Sequence, residues 1–186
     1  MSLISIIITH EIQPAILSSI LTSAYKAAAE ISTKPSLKLL TQQDHDTLWQ
    51  YASLPPDVIS VTYPPLPSTS IQSPFLTCDP NEVCSLLNGL LPDTWINPLV
   101  FLIADEVTAR DGDTLLLGQN LGDDFQTVRL SAAYVNTESV AVAVGSKDVR
   151  EIRRLVDEDG VFRGGLRRSR PPMRGRETPR KMLGER

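Results

Sequence analysis

The sequence predicts an α+β domain: a mixed β-sheet with an antiparallel C-terminal meander, flanked by about four helices and followed by a disordered basic tail. Three observations predict it. Two strand-then-helix patterns open the chain, short β-prone runs separated by turn residues fill its second half, and an arginine-rich segment of low apolar content ends it. With 186 residues, 41% of them hydrophobic, the chain is long enough for one domain with a core. We expect that domain over residues 1–165 and the tail over residues 166–186.

The first strand-then-helix pattern begins with an isoleucine-rich run at residues 3–9. Its β-branched side chains suit a strand that is buried on both faces, so we expect a central strand here. After Pro14, apolar residues recur at three- and four-residue steps through Ile31, which predicts an amphipathic helix of roughly 16 residues. The second pattern is a short strand at residues 37–40 and a helix at residues 44–52.

A proline-rich stretch follows at residues 55–74, which hold six of the 14 prolines. Within it, residues 58–63 alternate as an edge strand would. A loop of this length is uncommon inside a compact domain and is often functional, so we interpret it as a functional loop or an insertion.

The second half begins with a helix start at Asp79, and the helix is expected to end before Pro92. Residues 99–104 form a continuous apolar strand. Two further β-prone runs follow it, separated by turns rich in aspartate and glycine, and this spacing predicts an antiparallel meander. These two runs are the predicted strands at residues 114–118 and 125–130. After them we expect a further strand at residues 139–144 and a last helix at residues 149–156.

Two segments of the second half carry a resemblance to a known family. Ala104, Asp105 and Glu106 end an apolar strand, and residues 157–164 read Asp-Glu-Asp-Gly-Val-Phe-Arg-Gly. With the meander between them, these segments resemble a domain family of unknown function from fungi and bacteria. The likeness covers about residues 99–164, and it departs at residues 136–145, where the family tends to show an Asn-Leu and Ala-Asn pattern. The family brings no established activity, so the resemblance implies a fold more than a function.

The octet at residues 157–164 has two interpretations. Asp157 and Asp159 before Gly160 are reminiscent of a calcium loop, but an EF-hand also needs another oxygen ligand before the glycine and a Glu at the twelfth position, and both are missing. We therefore favour a structural signature. In it Gly160 makes a left-handed turn, Phe162 anchors the segment in the core, and Arg163 pairs with a carboxylate of the domain.

Polar residues follow two of the buried strands directly: His10 and Glu11 after the first, Asp105 and Glu106 after the strand at residues 99–104. If these strands are parallel neighbours, the four side chains share one carboxyl edge, where ligand sites of α/β sheets lie. A His beside carboxylates is suited to general-base chemistry, which makes these four the candidate catalytic residues. The alternative is that the chain has simply reached solvent.

Other site types lack support in the sequence. Cys78 and Cys84 do not have the spacing of a redox pair or a zinc knuckle, and the chain has only two histidines. The common nucleotide, dinucleotide, serine-hydrolase and zinc-protease motifs are missing. We therefore predict no cofactor and no metal. The N-terminal apolar run has no preceding basic residue and stops well short of a membrane span, so we expect no signal peptide and no membrane contact.

The net charge of −4 conceals an asymmetry. Residues 166–186 hold eight Lys or Arg against two Glu, a local charge of +6, so residues 1–165 hold 10 basic against 20 acidic residues, a charge of −10. Such a tail is suited to binding nucleic-acid phosphates, to localisation, or to an electrostatic clasp on the acidic domain. The candidate contacts are Arg167, Arg168, Arg170, Arg174 and Arg176.

The function is not fixed by these patterns. Our leading hypothesis is a non-enzymatic protein-interaction or regulatory domain with an unknown protein partner, in the cytoplasm or nucleus. The first alternative is a small-molecule binder or enzyme that uses the carboxyl edge of the sheet. The second is association with nucleic acid through the tail.

Overall fold

The computed structural model describes residues 3–42, 60–90, 95–122 and 124–165. Its strands are β1 (Leu3–Ile8), β2 (Leu37–Leu39), β3 (Ile96–Ala104), β4 (Thr114–Asn120), β5 (Phe125–Ser131) and β6 (Val161–Phe162). Its helices are α1 (Pro14–Glu30), α2 (Pro80–Asn88), α3 (Glu106–Asp111), α4 (Ala132–Ala143) and α5 (Val149–Arg153).

The strands form one mixed sheet with the order β2-β1-β3-β4-β5-β6. β1 pairs in parallel with both β2 and β3, whereas β3, β4 and β5 form an antiparallel meander and β6 adds in parallel to β5. The predicted α+β class, the central position of the first strand and the meander are confirmed. The described part of the chain has five helices, where about four were predicted.

The sheet is covered by helices on both faces, which explains the isoleucine-rich run of β1. Ile4, Ile6 and Ile8 pack with α1, α4 and α5 on one face. Ile7 packs with α2 and Phe75 on the other. Because successive side chains of a strand point to opposite faces, a strand between two helical layers favours apolar residues on both faces, and the fully buried Ser5 is the exception in β1.

The predicted strand at residues 139–144 is wrong, because these residues belong to α4 and the turn after it. The alternating alanines and valines favour a strand locally. Val135, Ser139 and Val142 are nevertheless buried at helical spacing, and α4 packs against α1, so tertiary packing overrides the local preference. α3 is the other unexpected helix, in a stretch between two predicted strands where no helix was predicted.

Asn136 of α4 connects distant parts of the chain. Its Oδ1 accepts a hydrogen bond from the Ser36 N–H (3.0 Å), and its Nδ2 donates to the Lys34 carbonyl (3.1 Å). Asn136 is fully buried, so both bonds are shielded from water. The helix thereby fixes the entry into β2.

The free edge of β2 is covered by the proline-rich segment. Residues 60–63 are not a strand, contrary to our prediction, yet the Thr62 N–H donates to the Leu37 carbonyl (2.9 Å) and its Oγ1 accepts from the Leu39 N–H (2.9 Å). One residue thus satisfies two outward-facing backbone groups of β2.

Several predictions lie outside the described residues. These are the helix at residues 44–52, the first part of the proline-rich stretch and the whole tail, including Arg167, Arg168, Arg170, Arg174 and Arg176. The division into a domain at residues 1–165 and a tail stays a prediction.

The chain reverses direction across the sheet between β1 and β3. From β1 the chain passes through α1 to β2, which lies on one side of β1. It then passes α2, which covers the opposite face of the sheet, to β3, which lies on the other side of β1. In open sheets with parallel strands, such a reversal leaves a crevice at the carboxyl ends of the two strands, which is the usual place for a ligand.

Candidate binding site at the carboxyl edge of the sheet

Five of the six strands of the described sheet end at one edge, because β1, β2, β3, β5 and β6 run in the same direction. Ile8 of β1 lies beside Ala104 of β3. The residues that follow these two strands therefore emerge next to each other, as the sequence hypothesis requires.

A segment at residues 72–78 crosses the end of β1. The Ser73 hydroxyl donates to the Ile8 carbonyl (2.6 Å), and the Thr77 N–H donates to the Thr9 carbonyl (2.9 Å). Between them Phe75 is buried against the α2 face. This segment closes the crevice on the side of α2 and leaves it open on the side of α1.

Two cavities lie on the open side. The first, the β1 cavity, has a volume of about 650 Å³ and is formed by the turn between β1 and α1 and by residues 68–76. The second, the β2 cavity, has a volume of about 480 Å³ and lies between β2 and residues 62–72. Ser70, Ile71 and Gln72 line both, so the two cavities adjoin, and we call them together the edge groove.

The edge groove combines apolar walls with uncharged hydrogen-bonding groups. In the β1 cavity Ile12, Ile71 and Leu76 supply apolar surface, and serine hydroxyls and glutamine amides supply polar contacts. Glu11 is the one acidic side chain among the described residues that line it, and Lys38 is the one basic side chain lining the β2 cavity. Volumes in this range fall within those of ligand pockets.

Asp105 is held in structural contacts. Its Oδ1 accepts from the Thr108 N–H (3.0 Å), which caps α3, and its Oδ2 pairs with the Arg129 guanidinium of β5. The side chains of Arg129 and Asp105 are only 14% and 24% exposed. Burial alone would raise the pKa of Asp105, but hydrogen bonds from Arg129 and Thr108 and the charge of Arg129 outweigh it, and the pKa lies below its ordinary value.

The predicted four-residue site is therefore only partly assembled. Glu11 lines the β1 cavity, whereas His10, Asp105 and Glu106 are not among the residues that line it. His10 and Glu106 are exposed, and Asp105 faces Arg129. Among the described residues, the β1 cavity is lined by one carboxylate, Glu11, and the predicted combination of a histidine with three carboxylates is not assembled there.

The octet forms a compact turn that leads into β6. The Arg163 guanidinium donates two hydrogen bonds to the Asp159 carboxylate (2.8 and 3.0 Å) and one to Asp157 (3.1 Å). The hydrogen bonds from Arg163 and from the Val161 N–H lower the pKa of Asp159. Gly160 has a positive φ of 79° between them. The two carboxylates thus neutralise an arginine of their own segment.

The end of the octet is fixed by aromatic packing. Phe162 is 3% exposed, and its ring meets that of Tyr134 edge-on at 5.4 Å between centroids. Gly164, with φ of 95°, lies against Tyr134 so closely that an added Cβ would be 2.1 Å from its hydroxyl oxygen. Only glycine fits this position.

Two features are absent from the described residues. No helix in this part of the chain is long and apolar enough to cross a membrane. In the same residues, no group of three or more His, Cys, Asp or Glu side chains is placed to hold a metal ion.

The comparison with family models gives one match. A model described as "Domain of unknown function (DUF6924)" covers residues 72–165. The chain belongs to this family. The DUF6924 match confirms an uncharacterised domain family, whereas the range of organisms and the octet signature stay predictions. No curated protein and no solved structure matches the chain significantly.

The DUF6924 match starts earlier than the resemblance at residue 99 and includes α2 and the segment over the end of β1. Glu11 and the rest of the turn between β1 and α1 precede it. The edge groove is therefore built by family residues such as Gln72 and Leu76 together with residues from outside the matched region.

Sequence reasoning missed most of the groove and the partner of Asp105. Arg129 lies in an alternating strand, where nothing in the sequence distinguishes it from an ordinary solvent-facing residue. Ser70, Ile71 and Gln72 lie in the proline-rich stretch, and its unusual length was the one available signal.

Proposed function

We propose that the chain is a non-enzymatic protein-interaction domain that binds an extended peptide segment in the edge groove. The observation that supports this most directly is the lining of the β1 cavity, where Glu11 is the one titratable side chain among the described residues. The groove can hold and orient a ligand through amides, hydroxyls and apolar walls. Within the β1 cavity, the described residues offer no second acid or base to share a proton transfer with Glu11, and Lys38 lines only the adjoining β2 cavity.

The ligand is a peptide that carries a basic residue next to an apolar one. A carboxylate at the rim selects a cationic side chain, and Ile71 and Leu76 accept an apolar neighbour. An anionic ligand such as a nucleotide is disfavoured, because no cation lines the β1 cavity among the described residues. Strand addition at β2 is also disfavoured, since Thr62 already satisfies that edge.

A cytoplasmic or nuclear location belongs to the same proposal and is supported by two cysteines that form no disulfide. The proposal also includes the role of the octet as a structural signature of a family found in fungi and bacteria. It is supported by the ion pairs within the segment and by the burial of Phe162.

The test is a selection of random dodecapeptides displayed on phage against the full chain. We expect enriched peptides to combine Lys or Arg with apolar residues. In fluorescence polarisation, Ser70→Trp should weaken their binding at least about tenfold, because the exposed Ser70 lines both cavities and an indole there fills them. Glu11→Gln should weaken it less, by about threefold, and this loss should shrink at high salt.

Each variant has a matched control. Ser19→Trp places the same ring on the exposed face of α1, and Glu30→Gln removes an exposed carboxylate at the end of α1; neither residue lines the groove. Thermal unfolding of all four variants checks that each is folded, and we expect cooperative transitions close to that of the native chain. The proposal is contradicted if no peptide is enriched, or if Ser70→Trp binds the enriched peptides as well as Ser19→Trp does.

A further inference from the structure

We infer that the basic tail of this chain, residues 166–186, occupies the edge groove of its own domain and competes with peptide ligands. The inference rests on the proposed function of the groove. It adds an occupant of the groove from the same chain, which lowers the affinity of the groove for peptide ligands.

The geometry of the sheet places the end of β6, which the tail follows in sequence, and the groove at the same edge. β6 runs parallel to β1, so the chain leaves β6 at the edge where β1 opens into the β1 cavity. Gly165 is the last described residue and lies against Phe162 of β6. Four strand spacings separate β6 from β1, a distance of about 19 Å.

The tail is long enough to span this distance. Nine residues connect Gly165 to Arg174, and an extended chain of that length reaches about 30 Å. The groove is therefore within reach of the middle of the tail, and its last twelve residues are not needed for the span.

The chemistry of the tail matches the ligand that the groove selects. Pro171, Pro172 and Met173 are apolar and are followed by Arg174, which supplies the cation next to an apolar group. The path along the edge passes Asp113 at the start of β4 and Glu106 after β3, both of them exposed carboxylates. A tail charge of +6 against a domain charge of −10 favours this contact over a free tail.

The test measures a labelled synthetic peptide of residues 166–180 binding to two full-length chains. One is the native chain, and the other has Arg167, Arg168, Arg170, Arg174 and Arg176 replaced by glutamine. For a tail that binds with a Kd on the order of 100 µM, an effective concentration on the order of 1 mM predicts about tenfold tighter peptide binding to the glutamine variant. A control with Glu177→Gln and Glu185→Gln keeps the arginines and should bind like the native chain.

A second readout locates the contact. Amide chemical shifts of Glu11, Ser70, Ile71 and Gln72 should differ between the native chain and the five-glutamine variant, and the labelled peptide should restore the native shifts. The comparison of the native chain with the five-glutamine variant needs no added peptide, so it tests the contact independently of the binding measurement.

The outcomes separate this inference from the proposed function. Equal binding of the peptide to both chains, or binding to neither, overturns the inference, while groove-dependent binding of the phage-selected peptides would still support the proposed function. The ratio of the peptide affinities of the two chains should not depend on chain concentration. A ratio that increases with chain concentration would show that the tail binds a second copy, which also overturns the intramolecular contact. Failure of the phage-selected peptides to bind the five-glutamine variant would overturn both.

Discussion

Replacing Arg129 with methionine should lower the free energy of unfolding by about 3 kcal/mol. The substitution leaves Asp105 mostly buried without its cation, and an uncompensated charge in such a place costs about 3 to 5 kcal/mol. We use the lower end because both side chains keep some exposure. Urea unfolding, with the midpoint and slope fitted separately, measures the loss.

An exposed ion pair provides the control. Arg150 pairs with Asp124, but their side chains are 54% and 39% exposed, so Arg150→Met should cost less than about 1 kcal/mol. The double variant Asp105→Asn with Arg129→Met should lose less than the sum of the two single losses, since it removes both charges together. Equal losses for Arg129→Met and Arg150→Met would show that the Asp105–Arg129 pair is not a special contact.

The same pair predicts how stability depends on pH. Because the pKa of Asp105 in the folded chain lies below its ordinary value of 3.8, the ionised carboxylate stabilises the fold above that pH, and this stabilisation is lost as the pH falls through the folded pKa. The free energy of unfolding of the native chain should therefore fall more steeply below about pH 4 than that of Asp105→Asn. Parallel curves for the two chains between about pH 2 and pH 5 would contradict the shift.

The second large effect is expected at Gly164. Gly164→Ala should cost about 3 kcal/mol, of which about 1 to 2 come from a left-handed backbone and the rest from overpacking against Tyr134. Thermal unfolding or urea unfolding of the variant measures this loss.

Gly160 offers the same substitution without the contact. Its φ is also positive, at 79°, but nothing lies within 4 Å of an added Cβ, so Gly160→Ala should cost only about 1 kcal/mol. In a Tyr134→Ala background the cost of Gly164→Ala should fall towards that of Gly160→Ala. If the two alanine variants are equally stable in the native background, the close approach of Tyr134 does not constrain the octet.

The elements that the sequence predicted well have local signals. The isoleucine run of β1, the periodicity of α1 and the turn residues of the meander each determine their structure within a short window. The same is true of α2, where Asp79 accepts from the Asn81 and Glu82 N–H groups at 2.7 and 2.9 Å, as its position before Pro80 predicts.

The failures depend on contacts between distant residues. α4 has the local pattern of a strand and becomes a helix by packing on α1, which lies more than 100 residues earlier. The meeting of β1 and β3 as parallel neighbours was foreseen only as a condition of the candidate site, and the structure meets that condition. The content of the site was not foreseen, since Asp105 is paired to Arg129, 24 positions away, and the groove is closed by residues 62–76.

The hydrogen bonds of Asn136 and the central place of β1 bear on the modularity of the family. Residues 72–165 contain β3 but not its parallel neighbour β1, and they contain Asn136 but not the backbone groups of residues 34 and 36 that it binds. Excised from this chain, the matched region would expose the edge of β3 and leave a buried amide without partners. In this chain, the region matched by the family model therefore depends for its packing on β1 and on the backbone of residues 34 and 36, which lie outside it.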